Sequence, residues 1–175
     1  IKIVAPSHEL VLRKEPLHIL HSYLKWYEYS KGKAERNVTL AYGSMYGNTA
    51  KLASSFEEGL KASGVAFETF DVRWKHPSYI LPSLWTSQGV AVGAPTYEGS
   101  LFPSMAQMLL MAEFKRVFNK DAVYFGSFGW GGGATRYLKA QLERMKWNLV
   151  ETLEFAGEPT SEDLKKAVDL GKRFG

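Results

Sequence analysis

With 175 residues, the chain is long enough for one domain with a short appendage and for a sizeable apolar core. It has no cysteine, which excludes disulfides and cysteine-ligated metal sites, and it shows neither a signal peptide nor an apolar stretch that spans a membrane, so we expect a cytoplasmic protein. The net charge of +4 is spread among acidic residues, and no basic stripe with interleaved aromatics indicates nucleic-acid binding.

The first 37 residues differ in pattern from the rest of the chain. Ile1–Ala5 predicts a short strand, and Pro16–Lys31 predicts a helix with leucines on one side. Gly32–Asn37 is a short polar connector. We therefore expect an N-terminal strand–helix appendage in front of the main domain.

From Val38 onward, strand-like and helix-like segments alternate. Strands are predicted at Val38–Tyr42, Val65–Val72, Gly89–Gly93, Asp121–Gly126 and Leu149–Phe155. Helices are predicted at Thr49–Ser63, Pro103–Arg116 and Ala134–Lys146, with a short helix or irregular crossover at Pro77–Leu84 and a last helix after a capping box at Thr160–Asp163. The early strands are almost continuously apolar, which is typical of a sheet covered on both faces. The fold class is therefore α/β, with a doubly wound five-stranded parallel sheet and helices on both faces.

Three loops rich in small, hydroxyl and aromatic residues follow the first, third and fourth predicted strands. In doubly wound sheets, ligands bind outside the carboxyl ends of the strands, where the strand order reverses. In the strand order 2-1-3-4-5 these three strands are neighbours, so their loops converge on one edge of the sheet. The pattern predicts a ligand site at that edge.

The first of these loops, Ser44–Thr49, joins a strand to a helix. Free backbone N–H groups and the positive end of the helix dipole favour a phosphate there. Gly47 lets the backbone approach closely, while Ser44, Thr49 and Asn48 offer side-chain donors. The loop lacks the lysine of a Walker A motif and the spacing Gly-x-Gly-x-x-Gly, which argues against a nucleoside triphosphatase and a Rossmann dinucleotide site.

A purely structural explanation exists for each loop. A glycine-rich segment between a strand and a helix also serves as a simple turn, and Tyr97 and Trp130 also fit as half-buried packing residues. Their position on loops rather than in apolar strands favours contact with a ligand.

The three loops together resemble a known family. Ser-Met-Tyr-Gly-Asn-Thr at 44–49 resembles the phosphate loop of flavodoxins, in which a threonine commonly takes the place of Tyr46. Gly-Ala-Pro-Thr-Tyr at 93–97 and Gly-Ser-Phe-Gly-Trp-Gly-Gly at 126–132 resemble the loops that flank the flavin. The combination is most similar to the flavodoxin-like domain at the C-terminus of flavodiiron proteins, over Val38–Gly175. This resemblance implies the order 2-1-3-4-5, non-covalent binding of FMN and electron transfer.

The resemblance also implies which residues contact FMN. The phosphate is expected on the first loop, and the isoalloxazine ring is expected between the other two, next to Tyr97 and Trp130. No residue of this chain is expected to be catalytic. The implied FMN-binding residues are Ser44, Met45, Tyr46, Gly47, Asn48, Thr49, Pro95, Thr96, Tyr97, Glu98, Gly99, Ser127, Phe128, Gly129, Trp130, Gly131, Gly132 and Gly133.

The N-terminal segment extends the resemblance. Ile-Val-Ala-Pro-Ser-His at 3–8 looks like the end of the metallo-β-lactamase-like domain that precedes the flavodoxin domain in flavodiiron proteins. In that family, the histidine that matches His8 is a ligand of the diiron site. The other ligands of that site are absent from this sequence. The resemblance implies that residues 1–37 are a domain tail and linker, that residues 38–175 are the FMN domain, and that a diiron centre exists only in the full-length protein.

The implied activity is that of an oxidoreductase larger than this chain. In flavodiiron proteins, FMN receives electrons from rubredoxin or a reductase and passes them to a diiron centre that reduces dioxygen or nitric oxide, usually in a homodimer. Two alternatives stay open at this point. One is a free-standing flavodoxin-type carrier or an NAD(P)H:quinone reductase, and the other is a non-redox module that binds a phosphorylated ligand.

Overall fold

The structure is a computed structural model, and it describes residues 1–8 and 10–175. The chain divides into two compact units, Ile1–Lys33 and Ala34–Gly175.

Among its described residues, the first unit contains one helix, α1 (Pro16–Ser30), which confirms the predicted helix and begins at a proline in its first turn. No residue of α1 is buried. The predicted strand Ile1–Ala5 is wrong, because only Val4 pairs, in an isolated antiparallel bridge to Leu12 with N···O distances of 3.1 and 2.8 Å. Pro6 lies two residues after Val4. Because proline has no N–H to donate, it does not extend the pairing.

The second unit contains the alternating elements. The strands are β1 (Glu35–Tyr42), β2 (Ala66–Asp71), β3 (Ser87–Gly93), β4 (Thr96–Tyr97), β5 (Ser100–Leu101), β6 (Asp121–Phe128) and β7 (Asn148–Ala156). The helices are α2 (Asn48–Ser63), α3 (Pro77–Thr86), α4 (Pro103–Phe114), α5 (Ala134–Arg144) and α6 (Ser161–Phe174). The predicted strands and helices of residues 38–175 are all present, with ends displaced by a few residues.

The main sheet has five strands in the order β2-β1-β3-β6-β7, and all neighbouring pairs are parallel. Since β6 and β7 are the fourth and fifth strands of this sheet along the chain, the predicted fold class and the order 2-1-3-4-5 are confirmed. The order reverses between β1 and β3, which places the expected ligand site at their carboxyl ends.

One element was not predicted. The segment after β3 forms a small antiparallel hairpin of β4 and β5, with Thr96 opposite Leu101. Its turn residues, Glu98 and Gly99, have φ angles of 49° and 69°. Two consecutive positive φ values are typical of a type I′ turn, which Asn-Gly or Asp-Gly signals more clearly than Glu-Gly.

Apolar clusters cover both faces of the sheet. Along β3 the side chains alternate, so that Val90 and Val92 pack with α3, α4 and α5, whereas Ala91 packs with α2 and α6. Helices α2 and α6 approach closely at two glycines, because a Cβ on Gly59 would lie 2.1 Å from the carbonyl oxygen of Val168. A Cβ on Gly171 would likewise lie 2.3 Å from the carbonyl oxygen of Phe56.

The helix ends follow the sequence signals. Gly64 ends α2 with a φ of 77°. The predicted capping box is confirmed, because the Thr160 hydroxyl accepts the N–H of Asp163 and the Asp163 carboxylate accepts the N–H of Thr160. Within residues 1–8 and 10–175, no helix combines the length and the apolar character that crossing a bilayer needs.

Candidate functional site

A cavity of about 460 Å³ lies at the carboxyl ends of β1, β3 and β6. Its volume is within the range of about 300–1,000 Å³ that is common for small-molecule sites. The lining residues are Ser44, Met45, Tyr46, Asn48, Pro95, Thr96, Tyr97, Glu98, Ser127, Phe128, Gly129, Trp130 and Gly157. The structure therefore brings the three predicted loops together around one space.

The first loop leads into the start of helix α2. Gly47 precedes the helix with a φ of 90°, and no side chain caps the helix N-terminus. The first N–H groups of α2 have no partner within the helix and carry the positive end of its dipole. The buried Ser44 hydroxyl accepts the N–H of Gly47 at 3.0 Å, which folds the loop and leaves the hydroxyl proton available to a ligand.

Asn48 and Thr49 have contacts that sequence reasoning did not foresee. The Asn48 side-chain amide donates to the carbonyl of Gly157 at 3.0 Å, and the hydroxyls of Thr49 and Ser127 are 3.4 Å apart. Gly157 follows β7 and lines the cavity, although the predicted set does not include it. The sequence signal for it was a glycine directly after the last predicted strand, and in the structure this glycine has a φ of 65°.

Arg73 also contacts the first loop. Its Nη1 donates to the carbonyl of Ser44 at 2.8 Å, while its Nε donates to Asp71 at 2.9 Å. These hydrogen bonds from the guanidinium to Asp71 raise the pKa of Arg73. The loop Ser44–Thr49 itself has no cationic side chain, so its nearby positive charge comes from the β2–α3 connection.

A hydrogen bond fixes the start of the second loop to β6. The buried Tyr124 hydroxyl donates to the carbonyl of Ala94 at 2.8 Å. Burial raises the pKa of Tyr124, so the group stays a protonated donor. Gly126 has no room for a side chain, because a Cβ there would lie 1.9 Å from the Ala94 carbonyl oxygen.

The second and third loops also contact each other. The Thr96 hydroxyl accepts the N–H of Ala134, the first residue of α5, at 3.4 Å. A Cβ on Gly133 would lie 2.2 Å from the carbonyl oxygen of Gly99. With the contact between Thr49 and Ser127, these interactions fix the three loops relative to one another.

Aromatic side chains on the loops remain open to solvent at the cavity. Trp130 is fully exposed, Tyr46 is 86% exposed and Tyr97 is 41% exposed. A single exposed ring is ordinary on a protein surface, but several exposed rings gathered at one cavity are typical of a binding site. These rings offer flat apolar surfaces to a planar ligand.

Not every residue of the predicted set lines this cavity. Gly132 and Gly133 line a neighbouring open cavity with Arg136, Lys139 and Glu154. The other predicted residues outside the lining are Gly47, Thr49, Gly99 and Gly131. A further cavity of about 230 Å³, lined by Arg36, Asp121 and Arg173 among others, lies at the amino ends of the strands, away from the switch point.

The residues at the main cavity fit FMN by their chemistry. A helix N-terminus without a side-chain cap suits the phosphate, and exposed rings on two other loops suit the isoalloxazine. The lining also contains the hydroxyl residues Thr96 and Ser127. In residues 1–8 and 10–175, no three His, Asp or Glu side chains gather as a metal site.

The fold and this cavity define an α/β domain whose cavity, at the topological switch point, suits a phosphorylated planar ligand. Comparison with known families agrees, since the family description "Flavodoxin" matches residues 40–171. The chain belongs to the flavodoxin family, whose domains bind FMN.

Individual relatives extend the match beyond that domain. A nitric oxide reductase of Moorella thermoacetica is 30% identical over 99% of this chain and 43% of its own length. The structure of rubredoxin oxygen:oxidoreductase from Desulfovibrio gigas is 25% identical, with a TM-score of 0.88 over 99% of this chain and 43% of the other. A variant of the flavo di-iron protein from Thermotoga maritima is 28% identical, with a TM-score of 0.78 over 99% and 44%. The chain thus resembles the flavodoxin-like domain of flavodiiron proteins and spans less than half the length of these relatives.

Proposed function

We propose that residues 38–175 bind FMN non-covalently and serve as the electron-transfer domain of a flavodiiron oxidoreductase. The observation that supports this most directly is the single cavity in which the uncapped start of α2 meets exposed rings from two other loops. Membership of the flavodoxin family supports the choice of FMN over other phosphorylated ligands.

The roles of the side chains follow from their positions. The N–H groups in the first turn of α2 and the hydroxyl of Ser44 hold the phosphate, while a direct contact from Thr49, which does not line the cavity, rests on the family resemblance alone. Tyr97 and Trp130 pack against the isoalloxazine ring and exclude water from it. The flavin supplies the redox chemistry when it is bound, and the protein supplies its orientation and electrostatic surroundings.

For the longer protein, we propose that residues 1–37 are the tail of a metallo-β-lactamase-like domain with its linker. In that setting His8 is a ligand of a diiron centre whose other ligands lie outside this chain. The names of relatives support this arrangement, because they include a nitric oxide reductase and a rubredoxin oxygen:oxidoreductase. Matches that cover 99% of this chain, including its first unit, favour such a domain over a free-standing flavodoxin.

The proposed partners follow from the same resemblance. Electrons arrive from rubredoxin or a reductase, and the diiron centre passes them to dioxygen or nitric oxide. The full-length protein is proposed to be a cytoplasmic homodimer in which the flavin of one subunit serves the iron of the other.

Purification of the full chain tests whether it binds FMN. The expected protein is yellow, releases FMN on denaturation and rebinds one FMN per chain after the flavin is removed. A colourless protein that does not take up FMN would overturn the proposal and favour a non-redox module that binds another phosphorylated ligand. Lengthening the chain to the whole reading frame and measuring bound iron tests the proposed role of His8.

A further inference from the structure

Arg73 does not line the cavity, and it forms two sets of hydrogen bonds. Its Nε donates to both carboxylate oxygens of Asp71, at 2.9 and 3.1 Å, and its backbone N–H donates to the same carboxylate at 3.0 Å. Its Nη1 donates to the carbonyl of Ser44 at 2.8 Å. The carboxylate therefore fixes the guanidinium, and the guanidinium fixes one carbonyl of the first loop.

The contact with Ser44 determines which way one peptide group faces. The peptide bond between Ser44 and Met45 is trans, so its C=O and N–H point in opposite directions. Ser44 and Met45 line the cavity, whereas Arg73 does not. Because Arg73 holds the C=O on its own side, the N–H of Met45 is turned away from Arg73.

This orientation matters for an anion. A carbonyl oxygen that faced a bound phosphate would repel it, whereas an N–H that faces it donates a hydrogen bond. The loop contains no Lys or Arg of its own, and because Asp71 offsets the charge of the guanidinium, Arg73 acts on the loop through its hydrogen bond to the Ser44 carbonyl.

We propose that Arg73, held by Asp71, is the positioning residue of the phosphate loop and makes the cavity selective for FMN over riboflavin. This inference rests on the proposed function of the cavity. Riboflavin has the same ring and ribityl chain but no phosphate, so Arg73 contributes to the binding of FMN alone.

A purely structural role for Arg73 has a different consequence. If the ion pair only held the β2–α3 connection in place, its loss would lower stability and weaken both flavins alike. The ratio of the two dissociation constants therefore separates the two roles, because a general loss of folded protein cancels in the ratio.

The experiment compares apoprotein variants of the full chain by quenching of flavin fluorescence. Arg73→Met keeps an unbranched, flexible side chain, although a shorter one, and removes its donors and charge. We expect FMN to bind about ten- to a hundredfold more weakly, as for the loss of a hydrogen bond to a charged group, while riboflavin changes less than about threefold. Arg73→Lys keeps the charge but loses the bidentate geometry of the guanidinium. We expect its affinity for FMN to lie between those of the wild type and Arg73→Met.

Arg144→Met is the matched control. Arg144 also holds a carboxylate with two nitrogens, at 2.8 and 3.0 Å from Glu113, and donates to a backbone carbonyl, that of Ala140. It does not line the cavity. We expect Arg144→Met to leave the affinities for both flavins unchanged.

Each outcome decides between the possibilities. Equal weakening of FMN and riboflavin by Arg73→Met, or no weakening of FMN, overturns the positioning role while FMN binding by the wild type stands. Should Arg73→Met fail to fold, Arg73→Lys decides, because an unchanged ratio of the two dissociation constants also overturns the role. A wild type that binds neither flavin overturns the proposed function itself, and the inference with it.

Discussion

The side-chain amide of Asn48 donates a hydrogen bond to the carbonyl of Gly157 at 3.0 Å, across 109 residues of sequence. The N–H of Gly157 in turn donates to the carbonyl of Phe128 at 2.8 Å. One turn further along α2, Lys51 forms an ion pair with Glu158. The segment after β7 thereby connects the start of α2 to the third loop. These contacts stabilise one side of the cavity, which no single loop does alone.

Removing the Asn48 side chain tests this connection. We expect Asn48→Ala to weaken FMN binding by about two- to tenfold, because it removes one hydrogen bond worth about 1 kcal/mol that positions the helix start. Titration calorimetry of the apoprotein with FMN measures the change. Asn148→Ala is the control, since that amide donates to Asp121 at 2.9 Å at the amino ends of the strands. Equal losses in both variants would contradict a local role for Asn48.

Tyr97 tests the assignment of the ring-binding region. Replacing Tyr97 by Leu keeps an apolar side chain but removes the flat ring, and an aromatic pair contributes about 0.5–1.5 kcal/mol beyond its buried area. We expect FMN and riboflavin to bind about two- to tenfold more weakly, both to the same extent, because both carry the isoalloxazine ring.

Fluorescence quenching with both flavins measures this effect. Tyr79→Leu is the control, because Tyr79 is equally aromatic and largely exposed but lies on α3, outside the cavity lining. A loss that is confined to FMN would contradict the assignment of Tyr97 to the ring and point to the phosphate instead.

The fold was predictable because its signals are local. Apolar runs separated by helical periodicity indicate a parallel sheet, and Pro103, Gly64 and the Thr160–Asp163 pair mark helix ends through their own backbone chemistry. The convergence of three loops then follows from strand order alone.

The remaining parts of the site depend on contacts that no local pattern encodes. Arg73 reaches Ser44 only because β2 lies beside β1, which brings the ends of both strands together. Gly157 contributes a carbonyl rather than a side chain, so its residue type carries little information about its role. The hairpin turn at Glu98 was missed because a glutamate seldom adopts the positive φ that such turns require, whereas Asn or Asp does so more readily.

The close contact of α2 with α6 predicts a large effect of a single methyl group. A Cβ on Gly59 would lie 2.1 Å from the carbonyl oxygen of Val168 and 2.8 Å from the Cα of Gly171, so one helix must move. Overpacking of this kind costs about 1–3 kcal/mol, and the better helix propensity of alanine offsets up to about 1 kcal/mol of it.

We therefore expect Gly59→Ala to lower the free energy of unfolding by about 1–2 kcal/mol in urea titrations. Gly131→Ala is the matched control, because a Cβ at that position meets no atom within 4 Å. An unchanged midpoint for Gly59→Ala would mean that the two helices are farther apart than the structure places them.

Lys120 provides a pH-dependent prediction. Its side chain is buried, and its Nζ donates to the carbonyl of Trp85 at 3.0 Å. Burial lowers the pKa of Lys120 to about 8. An unfolded chain holds the same proton up to a pH of about 10.4. Between these two values the unfolded state binds more protons than the folded state, so the folded state gains stability as the pH rises.

We therefore expect the unfolding free energy of the wild type, relative to that of Lys120→Met, to increase from about pH 8 to about pH 10 and to be flat below pH 7. Urea titrations at several pH values measure this difference. Lys115→Met serves as the control, because it also removes a lysine but at an exposed position at the end of α4. A difference between wild type and Lys120→Met that stays constant from pH 7 to pH 10 would contradict a lowered pKa. A decrease over that range would mean that the folded state stabilises the charged form, which the single carbonyl partner and the burial of the side chain argue against.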